Sequence, residues 1–433
     1  MRSVGLYTLG CKVSQYETEA IGEAFEKRGF KVMSFDTPCD AYVINTCTVT
    51  AESDRKSRQM IRRAIKRNPD AVVAVVGCYS QRTPEELLKI DGVDIVIGTD
   101  KKLEVVGRVE FLLDNPTTKP CSYVESLDSV AFEPMTITKA PRTRAYVKIE
   151  DGCESKCTYC AISPARGRVR SKLPSDVIRE VEALHENGTR EIVLTGIETG
   201  SYGKDFDFDY GLADLIVELD RRGSCDRIRL GSLAPELIGK AFVDKVKDTK
   251  IFAPHFHLSI QSGSDNVLRG MKRRYSRKMA LENIEYIKKN IPGACFTTDL
   301  MVGFPGENEE DFLDTVSFVR EVGFIDAHVF AYSKRAGTPA ATYENQIPEN
   351  VKRERSARLI AVKNEVRDTV LDGIVGAKDK LSVILETYDG GFYTAHSDGF
   401  AEVKVEAECG LSGEMVEAFP FAHKDGIVFA KLI

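Results

Sequence analysis

A chain of 433 residues, 42% hydrophobic and 29% charged, has room for two or three domains and the make-up of a soluble globular protein. Its longest apolar run, AVVAVVGC, falls far short of the roughly 18 residues of a membrane span, which excludes a helical membrane anchor. A net charge of −6 excludes a bulk nucleic-acid binder and confines any nucleic-acid site to a local patch.

Over residues 1–116 short apolar strands alternate with amphipathic helices. VGLYTLG predicts a strand and SQYETEAIGEAFEKRG a helix stopped by Gly29. AYVINT is the next strand, followed by the long basic helix AESDRKSRQMIRRAIKRNP, which ends at Pro69. AVVAVVG is a third strand, and TPEELLKI a helix capped by Thr83 with Pro84 at its first position. Such alternation implies an open parallel sheet with helices on both faces. A Pro/Thr/Ser-rich connector covers 117–140. A second α/β run, 141–372, opens at RAYVKIEDGC and continues through EIVLTGI, RIRLGSL, HFHLSI, CFTTDLMVGF and DAHVFAY. Six strands with crossover helices suit a partial (β/α)6 barrel ending near Gly373. Residues 373–433 switch to period-two alternation with Gly-containing turns, the pattern of a small antiparallel β-barrel.

Eleven cysteines in a chain that opens directly on a strand-like pattern, with no signal-peptide h-region, predict reduced thiols and a cytoplasmic setting. The stretch DGCESKCTYCAISPARGRVRSK places Cys153, Cys157 and Cys160 within eight residues. A four-iron cube closed entirely by protein needs four thiolates. Three leave one iron open for a substrate or cofactor, the same logic that separates catalytic from structural zinc. The triplet follows the strand AYVKIE, at the mouth of the barrel where catalysis resides in such folds. A zinc site, which prefers paired C-x-x-C units, and chance are the alternatives. Cys11, Cys47 and Cys78 share a different setting, each one or two residues past a strand end, where the loops of an open parallel sheet converge on a ligand crevice. Cys39 precedes its strand and belongs at the opposite edge, and Cys121 falls in the connector. These two, with Cys225, Cys295 and Cys409, read as small core or surface thiols. Two sets of three make a pair.

C-x3-C-x2-C with an aromatic, Tyr159, before its last cysteine resembles the radical S-adenosylmethionine enzymes. LGCKVSQYETEA, NTCTVT and GCYSQ look like the N-terminal domain of the methylthiotransferases within that group. CAISPARGRVRSK, LTGIETGSYG, HLSIQSGSDNVLRGMKRRY, TDLMVGFPGENEEDF and YSKRAGTPAA resemble their radical domain, and the C-terminal β-unit their TRAM domain. GCKVSQYE and RQMIRRAIKRNP are most similar to the branch acting on N6-threonylcarbamoyladenosine of tRNA; the branches for isopentenyladenosine and for ribosomal protein S12 are the alternatives. The resemblance implies that Cys153, Cys157 and Cys160 hold a 4Fe-4S cluster whose open iron chelates S-adenosylmethionine and whose electron yields a 5′-deoxyadenosyl radical, with Tyr159 near the adenine. It implies that Cys11, Cys47 and Cys78 hold an auxiliary 4Fe-4S cluster carrying the sulfur, methylated by a second S-adenosylmethionine and delivered to adenine C2 at position 37. A glutamate after the second barrel strand grips the cofactor's amino group in related enzymes, and Glu198 stands there; a plain surface carboxylate is the alternative. Gly303, Pro305 and Gly306 in VGFPGE allow close backbone approach to the adenine, or form only a tight strand-to-helix turn. The partners implied are tRNA, an electron donor such as flavodoxin or ferredoxin, and iron–sulfur assembly machinery, with no membrane.

Arg55, Arg58, Arg62 and Lys66 recur at helical spacing, opposite Met60, Ile61, Ala64 and Ile65. A basic stripe beside a cysteine-bearing edge is a candidate for RNA phosphates, a solvated face being the plain alternative. Arg166, Arg168, Arg170 and Lys172, directly after the radical triplet, are read the same way, with Arg273 and Arg274 behind them. One departure stands out: residues 376–433 hold five lysines, no arginine and ten acidic residues, a net of −5, poorly suited to gripping phosphates. Two other function classes compete. An electron carrier closes its clusters with four cysteines and seldom needs a barrel of this size, and the overall acidity speaks against a zinc-containing RNA-binding module.

Overall fold

The strand Val72–Gly77 reads VVAVVG and is buried at all six positions, as a central strand of a parallel sheet covered on both faces must be. It belongs to the first of two compact units in the computed structural model, which describes residues 1–433. Unit 1 comprises Met1–Ile137, Tyr146–Lys172 and Ser333–Ala341; unit 2 comprises Thr138–Ala145, Leu173–Tyr332 and Thr342–Ile433.

In unit 1 the chain runs β1 (Ser3–Thr8), α1 (Lys12–Lys27), β2 (Lys31–Met33), β3 (Ala41–Thr46), α2 (Ala51–Arg67) and β4 (Val72–Gly77). It continues through α3 (Cys78–Arg82), α4 (Pro84–Leu88), β5 (Ile95–Ile97), α5 (Glu104–Asp114) and β6 (Cys121–Tyr123). The sheet order is β2-β1-β3-β4-β5-β6 and every pair is parallel. The three strands predicted from sequence are its centre. The three others span three residues each, too few for a periodicity to register, and Cys121 pairs with Ile95 as the first residue of an edge strand rather than lying in a connector. Val4, Ile21, Phe25, Val43, Ala74 and Val105 pack on one face, and Tyr42, Ile44, Ile61, Val73, Val75 and Leu87 on the other. The strand order reverses direction between β1 and β3, and the crevice outside the carboxyl ends at such a switch point is where open α/β sheets take their ligands.

In unit 2 the strands Glu191–Thr195 and Arg227–Leu230 pair in parallel. Ser232–Leu233, His255–Gln261, Cys295–Val302 and Asp326–Ala331 form a four-stranded parallel sheet in that order. With Arg144–Lys148, where the chain passes from unit 2 to unit 1, these are the six strands of the partial barrel, the third broken at Gly231. Glu191 is buried beneath Arg144, Arg227 and Arg229; its burial opposes ionisation, but Arg229 and Arg227 outweigh it and hold the carboxyl at about 2. The helix Glu349–Ala377 then runs 29 residues and passes straight through Gly373, so the boundary expected there lies inside a helix. The left-handed cap falls instead on Lys378, at φ +56°. The last five strands close into a barrel around Val383, Leu385, Tyr393, Val403 and Val428, and all pairs are antiparallel except Glu402–Glu406 with Ile427–Leu432. No helix is long and apolar enough to cross a membrane.

Candidate metal centre

The strand ends of unit 1 position the first cysteine triplet. Cys11 caps α1 three residues after β1, Cys47 directly follows β3, and Cys78 opens α3 directly after β4. β1, β3 and β4 are neighbours, so the three thiols share the carboxyl edge of the sheet at its switch point. Two glycines make the approach possible. Gly10 sits at φ +121°, where a Cβ would lie 3.1 Å from Cys47 Cβ, and Gly77 at φ +103°, where one would lie 2.5 Å from Asn45 Oδ1. The thiols feel one another. Burial pushes Cys47 up to about 12, helped by Cys78 and Cys11; burial likewise pushes Cys78 up, while Arg166 pulls it the other way.

The second triplet lies on the loop from Cys153 to Cys160, also in unit 1. Its entry is Gly152, at φ +92°, where any Cβ would meet Arg168 O at 1.8 Å. The Cys153 N–H donates to Gly167 O at 3.0 Å and the Cys160 N–H to Cys157 O at 3.1 Å. Ser163 Oγ donates to Cys153 O at 2.6 Å, and the Ile162 N–H donates to Cys160 Sγ at 3.3 Å. The segment Ser333–Ala341 braces both triplets. Arg335 donates to Thr48 Oγ1 at 2.7 Å and to Asp54 at 2.5 Å, while the Ala340 N–H donates to Thr158 O at 2.9 Å.

All eleven cysteines are free thiols. No three His, Cys, Asp or Glu side chains converge closely enough to share a single ion. A cube of four irons places its thiolates on separate corners, so a single-ion constellation is not what it requires. Three free thiols at one sheet edge, and three on one short loop, have the donor chemistry for such a cube.

Behind the thiols lies a charge network that the sequence did not reveal. Arg166, at the end of α6 (Ile162–Arg166), is wholly buried; its Nε donates to Cys78 Sγ at 3.1 Å. Its Nη1 pairs with Glu17 at 2.6 Å and with Asp151 at 3.1 Å. Lys102 and Lys148 reach the same Glu17 carboxylate at 2.7 and 3.1 Å, and Lys148 also reaches Asp151 at 3.1 Å. Burial alone would raise the Glu17 and Asp151 carboxyls, but Arg166 and the lysines hold both well below the usual range. The available signal was a lysine, Lys148, inside the otherwise apolar stretch AYVKI, three residues before an aspartate–glycine pair.

This network corrects part of the RNA expectation. Arg166, Arg170 and Lys172 are buried: Arg170 donates to Arg166 O and lies 3.6 Å from Asp151, and Lys172 donates to Met135 O at 2.8 Å. Removing one partner of such a buried group costs about 3–5 kcal/mol, so these cations belong to the interior and do not face a phosphate backbone. Arg168 is exposed. On α2, Met60, Ile61 and Ala64 face inward as expected; Arg55 pairs with Glu52 at 2.6 Å and Arg58 donates to Tyr79 Oη at 2.7 Å. Arg62 and Lys66 are exposed. Arg273 donates to Ser259 O in unit 2, and Arg274 is exposed.

Of the predicted cofactor residues, Tyr159 lies in unit 1, half-buried between Cys157 and Cys160, and the others in unit 2. Glu198 is buried, not a surface carboxylate; it accepts from the Ala234 N–H at 3.1 Å, and burial pushes its carboxyl up to about 7. Gly303, at φ +70°, donates its N–H to Glu307 at 2.7 Å; Pro305 is buried, and Gly306, at φ +87°, faces open space.

Residues 147–319 match the Radical SAM superfamily, and residues 3–98 an uncharacterized protein family, UPF0004. The threonylcarbamoyladenosine tRNA methylthiotransferase of Bacillus subtilis is 40% identical over 428 residues, spanning 96% of this chain and 93% of its own. The chain belongs to the radical S-adenosylmethionine methylthiotransferases. A relative of the same description from Thermotoga maritima is 36% identical over 90% of this chain and 87% of its own. The tRNA-2-methylthio-N6-dimethylallyladenosine synthase of Acetivibrio thermocellus is 33% identical over 95% and 87%. Among solved structures, the radical S-adenosylmethionine methyltransferase TsrM of Kitasatospora setae superimposes with a TM-score of 0.57 over 78% of this chain and 77% of its own, at 16% identity, a likeness of fold. Membership of this family implies S-adenosylmethionine and a 4Fe-4S cluster, and the C-x3-C-x2-C loop lies within the matched residues.

Proposed function

We propose that this methylthiotransferase acts on tRNA, converting N6-threonylcarbamoyladenosine at position 37 to its 2-methylthio derivative. The observation that carries the choice of substrate is the 40% identity, over nearly the whole of both chains, with the Bacillus subtilis enzyme of that description, against 33% for the dimethylallyladenosine relative. Cys153, Cys157 and Cys160 would hold the radical cluster, and Cys11, Cys47 and Cys78 a second one. When bound, these groups supply the electron that generates a 5′-deoxyadenosyl radical and the sulfur that is transferred, chemistry that no side chain can perform at an unactivated adenine C2–H. The protein's own part is placement. Glu198 offers a buried carboxylate for the cofactor's ammonium, the backbone around Gly303 and Gly306 leaves room for its adenine, and Tyr159 offers an aromatic face between two thiols. Arg62, Lys66 and Arg168 are the exposed cations for the tRNA backbone.

Mass spectrometry of nucleosides from the tRNA of a strain lacking the gene tests this reading. Loss of 2-methylthio-N6-threonylcarbamoyladenosine, with accumulation of its unmethylthiolated precursor, is expected. Loss of the isopentenyl counterpart instead would keep the reaction and overturn the substrate.

A further inference from the structure

The buried cluster around Arg166 is rich in cations. Four cations, Lys102, Lys148, Arg166 and Arg170, meet two carboxylates, Glu17 and Asp151. The half-buried Glu133 lies near Lys102 and Lys148, and the fully buried Glu150 precedes Asp151 in the chain. A buried guanidinium is costly unless its N–H groups are paired. The Arg166 guanidinium also reaches a sulfur: its Nε lies 3.1 Å from Cys78 Sγ.

The chain path adds a second observation. The short helices α3 and α6 pack against each other. α3 begins with Cys78 and ends with Arg82, which donates to Ala336 O at 2.5 Å in the bracing segment. The Ile162 N–H that bonds Cys160 Sγ starts α6, and Arg166, which bonds Cys78, ends it. α6 thus starts at the donor to a thiol of one triplet and ends in an arginine bonded to a thiol of the other.

We propose that Arg166 is a positioning residue for the auxiliary cluster: the buried cations centred on it supply the counter-charge of that cluster, fix Cys78 as a ligand, and raise the cluster's reduction potential. The proposal rests on the reading that Cys11, Cys47 and Cys78 hold a cluster. A hydrogen bond to a ligating sulfur and a nearby positive charge both stabilise the reduced, more negative form. Glu17 and Asp151 hold the guanidinium in place, so its Nε–H stays directed at the sulfur.

The test uses the full chain with Cys153, Cys157 and Cys160 all changed to Ala, reconstituted without oxygen so that only the auxiliary site can load. Iron per chain comes first. If this background binds no iron with Arg166 intact, the cluster reading fails, and the proposal falls with it. If it binds about four irons, as one cube requires, the midpoint potential is then measured in Arg166→Gln, Arg166→Lys and a control, Lys89→Gln, which removes an exposed charge on the same unit. The expected result is retained iron with a downward shift in Arg166→Gln, a smaller downward shift in Arg166→Lys, and none in the control. Equal potentials in all four proteins overturn the proposal. Should Arg166→Gln fail to fold by circular dichroism, Arg166→Lys decides alone: a downward shift supports the proposal, and an unchanged potential refutes it.

Discussion

Glu198 links the stability of the fold to pH. Its carboxyl titrates at about 7 in the folded protein, above the usual 4.5, because it is buried. The folded state therefore keeps a proton that the unfolded chain releases, so stability falls as pH rises from about 4.5 to about 7. At roughly 1.4 kcal/mol per pH unit, the loss above pH 7 approaches about 3 kcal/mol. Glu198→Gln, which carries no charge, should melt close to the wild type at pH 5 and several degrees above it at pH 8. Parallel melting of the two proteins from pH 5 to 8 would disprove this. In the proposed role the ammonium of S-adenosylmethionine neutralises the carboxylate, so adding the cofactor at pH 8 should stabilise the wild type more than the variant. The sequence already placed Glu198 just after a strand, and the structure has it there, three residues past Thr195. It did not show the burial, because a carboxylate in LTGIETG carries no mark of what covers it.

Among the elements, the tight entry to the radical loop is the most constrained. Gly152 at φ +92° leaves no room for a methyl group against Arg168 O. Gly152→Ala combines a left-handed backbone with a steric clash, a strain of about 1–3 kcal/mol or more. Anaerobically reconstituted Gly152→Ala is expected to lose iron at the Cys153 loop while its far-UV circular dichroism stays native; full iron loading would show that the loop tolerates the shift. The long elements were legible in the sequence for physical reasons. VVAVVG and AYVINT are apolar throughout because both faces of the sheet are covered, and α2 alternates Met60, Ile61 and Ala64 with arginines at helical spacing. What stayed hidden were β2, β5 and β6, each too short to show a period, and the helix through Gly373, where packing overrides a poor helix former. The shared edge of Cys11, Cys47 and Cys78 was visible because each follows a strand end, and the second triplet because its three thiols fall within eight residues. The role of Arg166 was not, since an arginine in ARGRVRSK looks like its exposed neighbour Arg168 until the fold buries it.

On the scale of the whole molecule, charge is unevenly spread. Residues 376–433 carry a net of −5, while α2 presents Arg62 and Lys66 to solvent. In the proposed reaction the tRNA backbone is therefore held mainly outside the C-terminal barrel. Replacing Lys378, Lys380, Lys404, Lys424 and Lys431 with Gln should change tRNA affinity less than about threefold, whereas Arg62→Gln with Lys66→Gln should weaken it and lower the log–log salt slope by about two. Filter-binding titrations at several salt concentrations would separate the outcomes, and a larger effect from the barrel lysines would reverse the assignment. The discontinuous make-up of unit 1 also has a consequence for biosynthesis. Cys78 precedes Arg166 by 88 residues, and the bracing segment Ser333–Ala341 comes later still. At about 5–20 residues per second of translation, the first three thiols are made several seconds before their buried cations and well before the brace. The nascent N-terminal sheet thus emerges with these thiols but without Arg166, so under the proposed two-cluster reading loading of that edge would belong after the ribosome has passed residue 341.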